Sequence, residues 1–134
     1  MTDTSRDQIV GIADGWLHKN VYAEAGAGTG KTSALVERIV NLLLSEEILP
    51  ENIVAVTFTV AAASELRQKV REALERQRLA LTQQGDTERI GRILNSIESL
   101  DSAFIGTIHS FAQSLLTERP IEAGLPPVFE LVEP

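Results

Sequence analysis

The sequence predicts an α/β fold: a parallel sheet with helices on both faces. Three observations carry that prediction. Short apolar runs alternate with helix-like segments along the chain. A glycine-rich turn, Ala25-Gly26-Ala27-Gly28-Thr29-Gly30-Lys31-Thr32, joins the first apolar run to the first long helix-like one. The other unusual polar segments, Thr57-Phe58-Thr59 and Gly106-Thr107-Ile108-His109-Ser110-Phe111, follow the second and third apolar runs. Strand-then-helix units joined by crossovers build parallel sheets covered on both sides. In such sheets ligand chemistry collects at the carboxyl ends of the strands.

Each element has its own signal. Thr4-Ser5 followed by Asp7 and Gln8 reads as a helix start, with Ile9, Val10, Ile12, Ala13, Trp16 and Leu17 as its apolar face. A first strand is predicted from Asn20 to Glu24, then the glycine-rich turn, then a helix to about Ser45 carrying Ala34, Leu35, Val36, Ile39, Val40, Leu42 and Leu43. Glu46-Glu47-Ile48-Leu49-Pro50 is a connector. Ile53 to Phe58 is a nearly unbroken apolar run of the kind buried in a parallel sheet. Thr59 is placed to cap a long helix through Leu66, Val70 and Leu74, which Gln83-Gln84-Gly85 ends. Asp86 caps the next helix, with Ile90, Ile93, Leu94, Ile97 and Leu100 on one face. A third strand at about Ala103 to Thr107 leads into a helix from His109 to about Thr117. The tail, with Pro120, Pro126 and Pro127, reads as loop with a short strand at Val128 to Val132.

Composition narrows the class. A chain of 134 residues is long enough for one domain with a real core. It has no cysteine, which excludes a disulfide framework or thiolate metal site. The polar start Met1-Thr2-Asp3-Thr4-Ser5-Arg6-Asp7 has no signal-peptide pattern, and no apolar run is long enough to span a membrane. The expectation is a cytoplasmic protein with no membrane partner. A net charge of −7 argues against nucleic-acid binding by bulk attraction, though a local basic track remains compatible with it.

The glycine-rich turn carries the chemistry. Successive backbone N–H groups curl round an anion, and the helix N-terminus adds a partial positive charge. In such a turn Lys31 reaches the β- and γ-phosphates of a nucleotide and the Thr32 hydroxyl ligates Mg²⁺. Gly26, Gly28 and Gly30 let the backbone approach the phosphates closely. Ala25 stands where the general pattern has glycine. The competing reading is a turn that merely caps a helix; Gly-Lys-Thr between strand and helix argues for the phosphate loop.

Taken together, three segments resemble the amino-terminal motor domain of UvrD/Rep-type superfamily-1 DNA helicases. Glu24 to Thr32 resembles motif I, where alanine in place of the first glycine is usual. Ala55-Val56-Thr57-Phe58-Thr59 followed by Ala62-Ala63-Ser64-Glu65-Leu66-Arg67 resembles motif Ia, and Gly106 to Ala112 resembles motif Ib. The wording of motifs I and Ib is similar to the RecB/AddA-like branch, whose members often carry a nuclease domain.

The resemblance implies a RecA-like P-loop NTPase fold, of which residues 1–134 are an incomplete amino-terminal part. It implies ATP and Mg²⁺ as cofactors, held by Gln8, Ala25, Gly26, Ala27, Gly28, Thr29, Gly30, Lys31 and Thr32. Gln8 matches the glutamine that reads the adenine edge, as an amide offering both donor and acceptor can. The alternative for Gln8 is a solvated helix residue. Thr57, Phe58 and Thr59, with Thr107, His109 and Ser110, match segments lining a single-stranded DNA track. There hydroxyls and amides meet phosphates and an aromatic stacks on a base. Phe58 is equally readable as core, since strand-end phenylalanines usually pack, and a lone histidine such as His109 is more often structural.

One departure stands in motif Ia: Val60-Ala61 replaces the Asn-Lys usual in the family, removing a cation from the track. Arg67, Lys69, Arg71, Arg76 and Arg78, interleaved with Glu65, Glu72 and Glu75, read as a solvated helix face. Hydrolysis needs acidic residues on Mg²⁺ and on water at the end of a hydrophobic strand. Glu46-Glu47, the isolated Asp101, Glu130 and Glu133 do not fit that place. The expected function is therefore the ATP-binding front portion of an ATP-dependent DNA helicase or translocase that unwinds DNA 3′ to 5′ in repair or recombination, with single-stranded or double-stranded DNA as the partner of the full-length protein. A nuclease domain or partner subunit is the further expectation, with this portion alone inactive. The rival readings are a non-catalytic nucleotide-binding or regulatory P-loop module and a small P-loop kinase.

Overall fold

The computed structural model describes residues 4–11, 15–24, 30–45, 48–130 and 132. Its helices are α1 (Thr4–Val10), α2 (Lys31–Leu44), α3 (Val60–Gln84), α4 (Thr87–Glu98) and α5 (Ile108–Glu118), and its strands β1 (Val54–Thr57) and β2 (Phe104–Thr107). Single 3-10 turns lie at Trp16–His18, Pro50–Asn52 and Leu100–Ser102.

Local chemistry sets the ends of these elements. The Thr59 hydroxyl accepts from the Ala62 N–H at 3.1 Å and starts α3. Gly85, at φ 72°, ends it in the left-handed conformation that glycine adopts without a Cβ clash. Asp86 accepts from the Arg89 N–H at 3.1 Å and starts α4 immediately afterwards. Thr107 accepts from the Ser110 N–H at 3.1 Å and starts α5.

β1 and β2 pair in parallel, with Val54 opposite Phe104 and Thr57 opposite Thr107. A parallel pair needs a crossover, here supplied by α3 and α4. The core lies on one side of this pair. Ile53, Ala55 and Ile105 meet Val36, Ile39, Val40 and Leu43 of α2, Leu66, Val70, Ala73 and Leu74 of α3, and Ile93 of α4. Ser33, Val36 and Glu37 share a groove with Lys69, Glu72 and Ala73, and Val40 and Asn41 continue it with Arg76 and Gln77. α2 and α3 therefore run in the same direction, and their N-termini open toward the same side. At the far end of α2, Arg92 of α4 donates to the Leu44 carbonyl at 3.2 Å, a cation at the negative end of a helix.

Several expectations are corrected. Residues 20–24 form no strand, and Tyr22 is 86% exposed. An apolar run becomes a strand only when a neighbour accepts its ladder, and among the described residues the sheet is the β1–β2 pair. The first helix stops at Val10, where Gly11 turns at φ 85°, and Trp16–Leu17 belong to a 3-10 turn. Ile12 and Ala13 of its expected face lie outside the described residues. Residues 128–130 form no strand, and Leu131 lies outside the described residues.

Cover on the two sheet faces is unequal. On the side away from the core, Phe111 of α5 meets Phe104 at 5.2 Å between ring centres. Val54 and Val56 nevertheless stay 53% and 44% exposed. α5 carries an apolar stripe at helical spacing (Ile108, Phe111, Ala112, Leu115, Leu116), yet none of its residues is buried. The parallel sheet and its α/β character are thus present, whereas the expected cover on both faces is complete on one face alone.

Candidate functional site

Of the glycine-rich turn, Ala25, Gly26, Ala27, Gly28 and Thr29 lie outside the described residues; Gly30, Lys31 and Thr32 are described. Gly30 sits at φ 85°, ψ 20°, and α2 begins directly after it. Its carbonyl takes the Ala34 N–H at 2.9 Å, closing the first helical turn. Glycine has no side chain to accept from the next N–H groups, and among the described residues this helix start has no side-chain cap. Lys31, Thr32 and Ser33 are all exposed on that first turn. The geometry suits an anion approached by backbone donors, a lysine and a hydroxyl.

Gln8, on α1, is half-buried. α1 is held against α2 by side chains rather than by a large apolar contact. Arg6 reaches the Glu37 carboxylate at 2.7 Å and the Ser33 hydroxyl at 3.4 Å. Asn41 donates to the Val10 carbonyl at 2.8 Å, and Arg38 donates to the Ile9 carbonyl at 2.8 Å. Val10 contributes the one fully buried apolar side chain among the described residues of α1. Sequence reasoning gave Arg6, Arg38 and Asn41 no role: Arg6 finds its partners on a different helix, and the backbone carbonyls that Arg38 and Asn41 meet leave no mark in the sequence.

The second group of candidates gathers at the carboxyl end of the strand pair. The register that sets Thr57 beside Thr107 brings the segments 57–59 and 107–110 next to each other. The Thr57 hydroxyl donates to the Thr59 carbonyl at 2.9 Å and lies 3.5 Å from the Gly106 carbonyl across the pair. Thr107 is buried, and its hydroxyl serves the α5 cap and meets the Ser110 hydroxyl at 2.9 Å. His109 and Ser110 are exposed. Phe58 is 93% exposed, so the packed alternative for this residue is corrected: it contributes nothing to the core. A Cβ at Gly106 would lie 2.9 Å from the far edge of the Phe104 ring, so a larger residue there would push that ring aside.

The arginine-bearing flank of α3 is largely engaged. Arg67 donates to the Ile105 carbonyl at 3.2 Å and, with Arg71, approaches Asp101 at 3.5 and 3.7 Å. Asp101, isolated in sequence, is thus paired in space. Arg78 meets Glu75 at 2.8 Å. Lys69 meets Glu65 at 2.7 Å and, by hydrogen bond and charge together, holds that carboxyl below its ordinary value. A lowered carboxyl pKa favours the folded chain above the ordinary value, and that contribution fades as pH falls through the lowered one.

Residues 7–134 match the family described as UvrD/REP helicase N-terminal domain. Curated relatives include a protein of Thermoanaerobacter sp. (strain X514) named as an ATP-dependent helicase/nuclease subunit, 39% identical over 114 residues. That alignment covers 84% of this chain and 9% of the relative. The protein of the same name in Anoxybacillus flavithermus (strain DSM 21510 / WK1) is 40% identical over 117 residues, covering 86% of this chain and 9% of the relative. The one in Moorella thermoacetica is 38% identical over 117 residues, covering 86% of this chain and 8% of the relative. The chain therefore spans about a tenth of the length of the relatives it matches. No described helix is long and apolar enough to cross a membrane.

Proposed function

The chain belongs to the UvrD/REP helicase N-terminal domain family, and from that premise we propose that it is the ATP-binding front of an ATP-dependent DNA helicase or translocase. The observation that carries the reading is the family match across residues 7–134. It draws support from the uncapped, glycine-opened start of α2 at Lys31 and Thr32. Relatives named as helicase/nuclease subunits favour the nuclease-bearing branch and a partner subunit.

In this reading the first turn of α2 and residues 25–29 hold the phosphates of ATP, with Lys31 on the β- and γ-phosphates and Thr32 toward Mg²⁺. Mg²⁺ supplies charge neutralisation at the phosphates. Gln8 reads the adenine edge through its amide. Thr57, Phe58, Thr59, Thr107, His109 and Ser110 line the track for single-stranded DNA, with Phe58 stacking on a base. The segments leave neighbouring parallel strands, so closure of a second motor lobe over the nucleotide moves them together and ratchets the strand, 3′ to 5′.

Calorimetry on the purified chain tests the nucleotide half: Mg·ATP binds, and Lys31→Ala loses the binding. Unchanged affinity in that variant overturns the proposal.

A further inference from the structure

One side chain that holds several backbone carbonyls sits outside every motif above. Arg38 lies two helical turns beyond Lys31, about 10 Å along α2. Among the described residues its guanidinium donates to four carbonyls: Ile9 at 2.8 Å through Nη1, and Lys19, Leu17 and Trp16 at 2.9, 3.2 and 3.3 Å through Nη2. Two of its neighbours on α2 act on the same element, Asn41 on the Val10 carbonyl and Glu37 on Arg6.

The chemistry of these acceptors is specific. Ile9 and Val10 are the last residues of α1, whose final carbonyls have no partner within the helix and carry its partial negative charge. A helix of 7 residues is too short to persist by itself. The remaining carbonyls belong to the 3-10 turn Trp16–His18 and to Lys19, the lead-in to the glycine-rich turn. Gly11 bends the chain back so that Leu17 lies against it, where a Cβ would come within 2.5 Å of the Leu17 side chain. One guanidinium thus ties the element that bears Gln8 and the approach to the phosphate loop to the helix that bears Lys31 and Thr32.

We infer that Arg38 is a positioning residue that fixes the nucleobase-reading end of the site relative to its phosphate-holding end. Its role is in base-dependent affinity, not in phosphate affinity. The inference rests on the ATP-binding reading and on Gln8 facing the base. Lysine cannot substitute, because a single ammonium lacks the planar fork that serves several carbonyls at once.

The test compares ATP with inorganic tripolyphosphate, which has the phosphates and no base, by calorimetry with Mg²⁺ on the intact protein. Arg38→Lys weakens ATP about tenfold, as loss of charge-assisted hydrogen bonds implies, and leaves tripolyphosphate within about twofold. Adding Gln8→Ala to Arg38→Lys weakens ATP no further than Gln8→Ala alone. Asn41→Ala, which releases only the Val10 carbonyl, gives the same split on a smaller scale and guards against a misfolded arginine variant. Equal weakening of both ligands in both variants, or no change in ATP affinity, overturns the assignment of Arg38 alone. A wild-type protein that binds neither ligand overturns the nucleotide reading beneath it.

Discussion

The helix start at Lys31 and the two at Val60 and Ile108 are built from different chemistry. α3 and α5 are closed by threonine hydroxyls, Thr59 accepting from Ala62 and Thr107 from Ser110, so one backbone donor at each end is satisfied within the chain. α2 opens on Gly30, which has no side chain and holds a left-handed φ of 85°. A threonine-closed end is finished structure; a glycine-opened end leaves its donors to whatever anion arrives. In the proposed function the two kinds of end serve two ligands. Phosphates need backbone N–H groups and a cation, whereas a moving single strand needs exposed hydroxyls and an aromatic surface that bind without trapping it.

Lys31→Ala presses hardest on that contrast. It removes the exposed cation beside the uncapped donors, and charge-assisted hydrogen bonds to phosphate are worth about 1.5–3 kcal/mol each. Losing two such hydrogen bonds weakens nucleotide affinity by about a hundredfold or more. Melting temperature without nucleotide should barely move, since Lys31 is exposed. Retained affinity in calorimetry would mean that α2 does not face the phosphates.

At the other end, Phe58→Ala should cost DNA coupling and leave folding alone. The ring is 93% exposed, so its removal changes stability by less than about 0.5 kcal/mol. DNA-stimulated ATPase of the intact motor should drop by the loss of one stacking contact, about 1–3 kcal/mol. A large drop in melting temperature with unaltered DNA stimulation would return Phe58 to the ordinary packing role.

The caps themselves predict the stability loss that Phe58→Ala should not show. Thr59→Ala and Thr107→Ala each remove an acceptor at a helix start and should lower stability by about 1 kcal/mol. Thr107→Ala should be the more costly, because Thr107 is buried and its hydroxyl also meets Ser110. Urea unfolding checks this; a wild-type midpoint in Thr107→Ala would show that the α5 start needs no cap.

These contrasts were partly readable in the sequence. Thr59, Gly85 and Asp86 punctuate α3 and α4 where the chain says they should, because capping is a local affair of a few residues. The β1–β2 pair was legible as the apolar runs from Ile53 to Phe58 and from about Ala103 to Thr107. The run Val21-Tyr22-Ala23 misled, because strand formation depends on a partner that periodicity does not reveal. Arg38 was invisible for a related reason. Beside Glu37 on an amphipathic helix it looks like a solvated charge, while its partners are the carbonyls of Ile9, Trp16, Leu17 and Lys19, 19 to 29 residues away in sequence. Phe58 shows the converse: sequence left packing and exposure equally open, and only the fold decides.

The smallest expected effect separates the strand-end track from the charged flank of α3. Arg71 and Arg76 lie on that flank, and Arg71 faces Asp101 at 3.7 Å, an ion pair whose carboxylate is 83% exposed. Exposed pairs of this kind contribute about 0–1 kcal/mol. Neither arginine belongs to the segments 57–59 and 107–110 that the strand register sets side by side. Arg71→Glu with Arg76→Glu should therefore alter DNA-stimulated ATPase of the intact motor by less than about threefold at physiological salt, where the screening length is about 8 Å. Lowering the salt should enlarge the effect, because long-range repulsion of the DNA is then less screened. If this pair of reversals abolished DNA stimulation while Phe58→Ala preserved it, the nucleic acid would have to run along α3, and the division of labour between open and closed helix ends would fail.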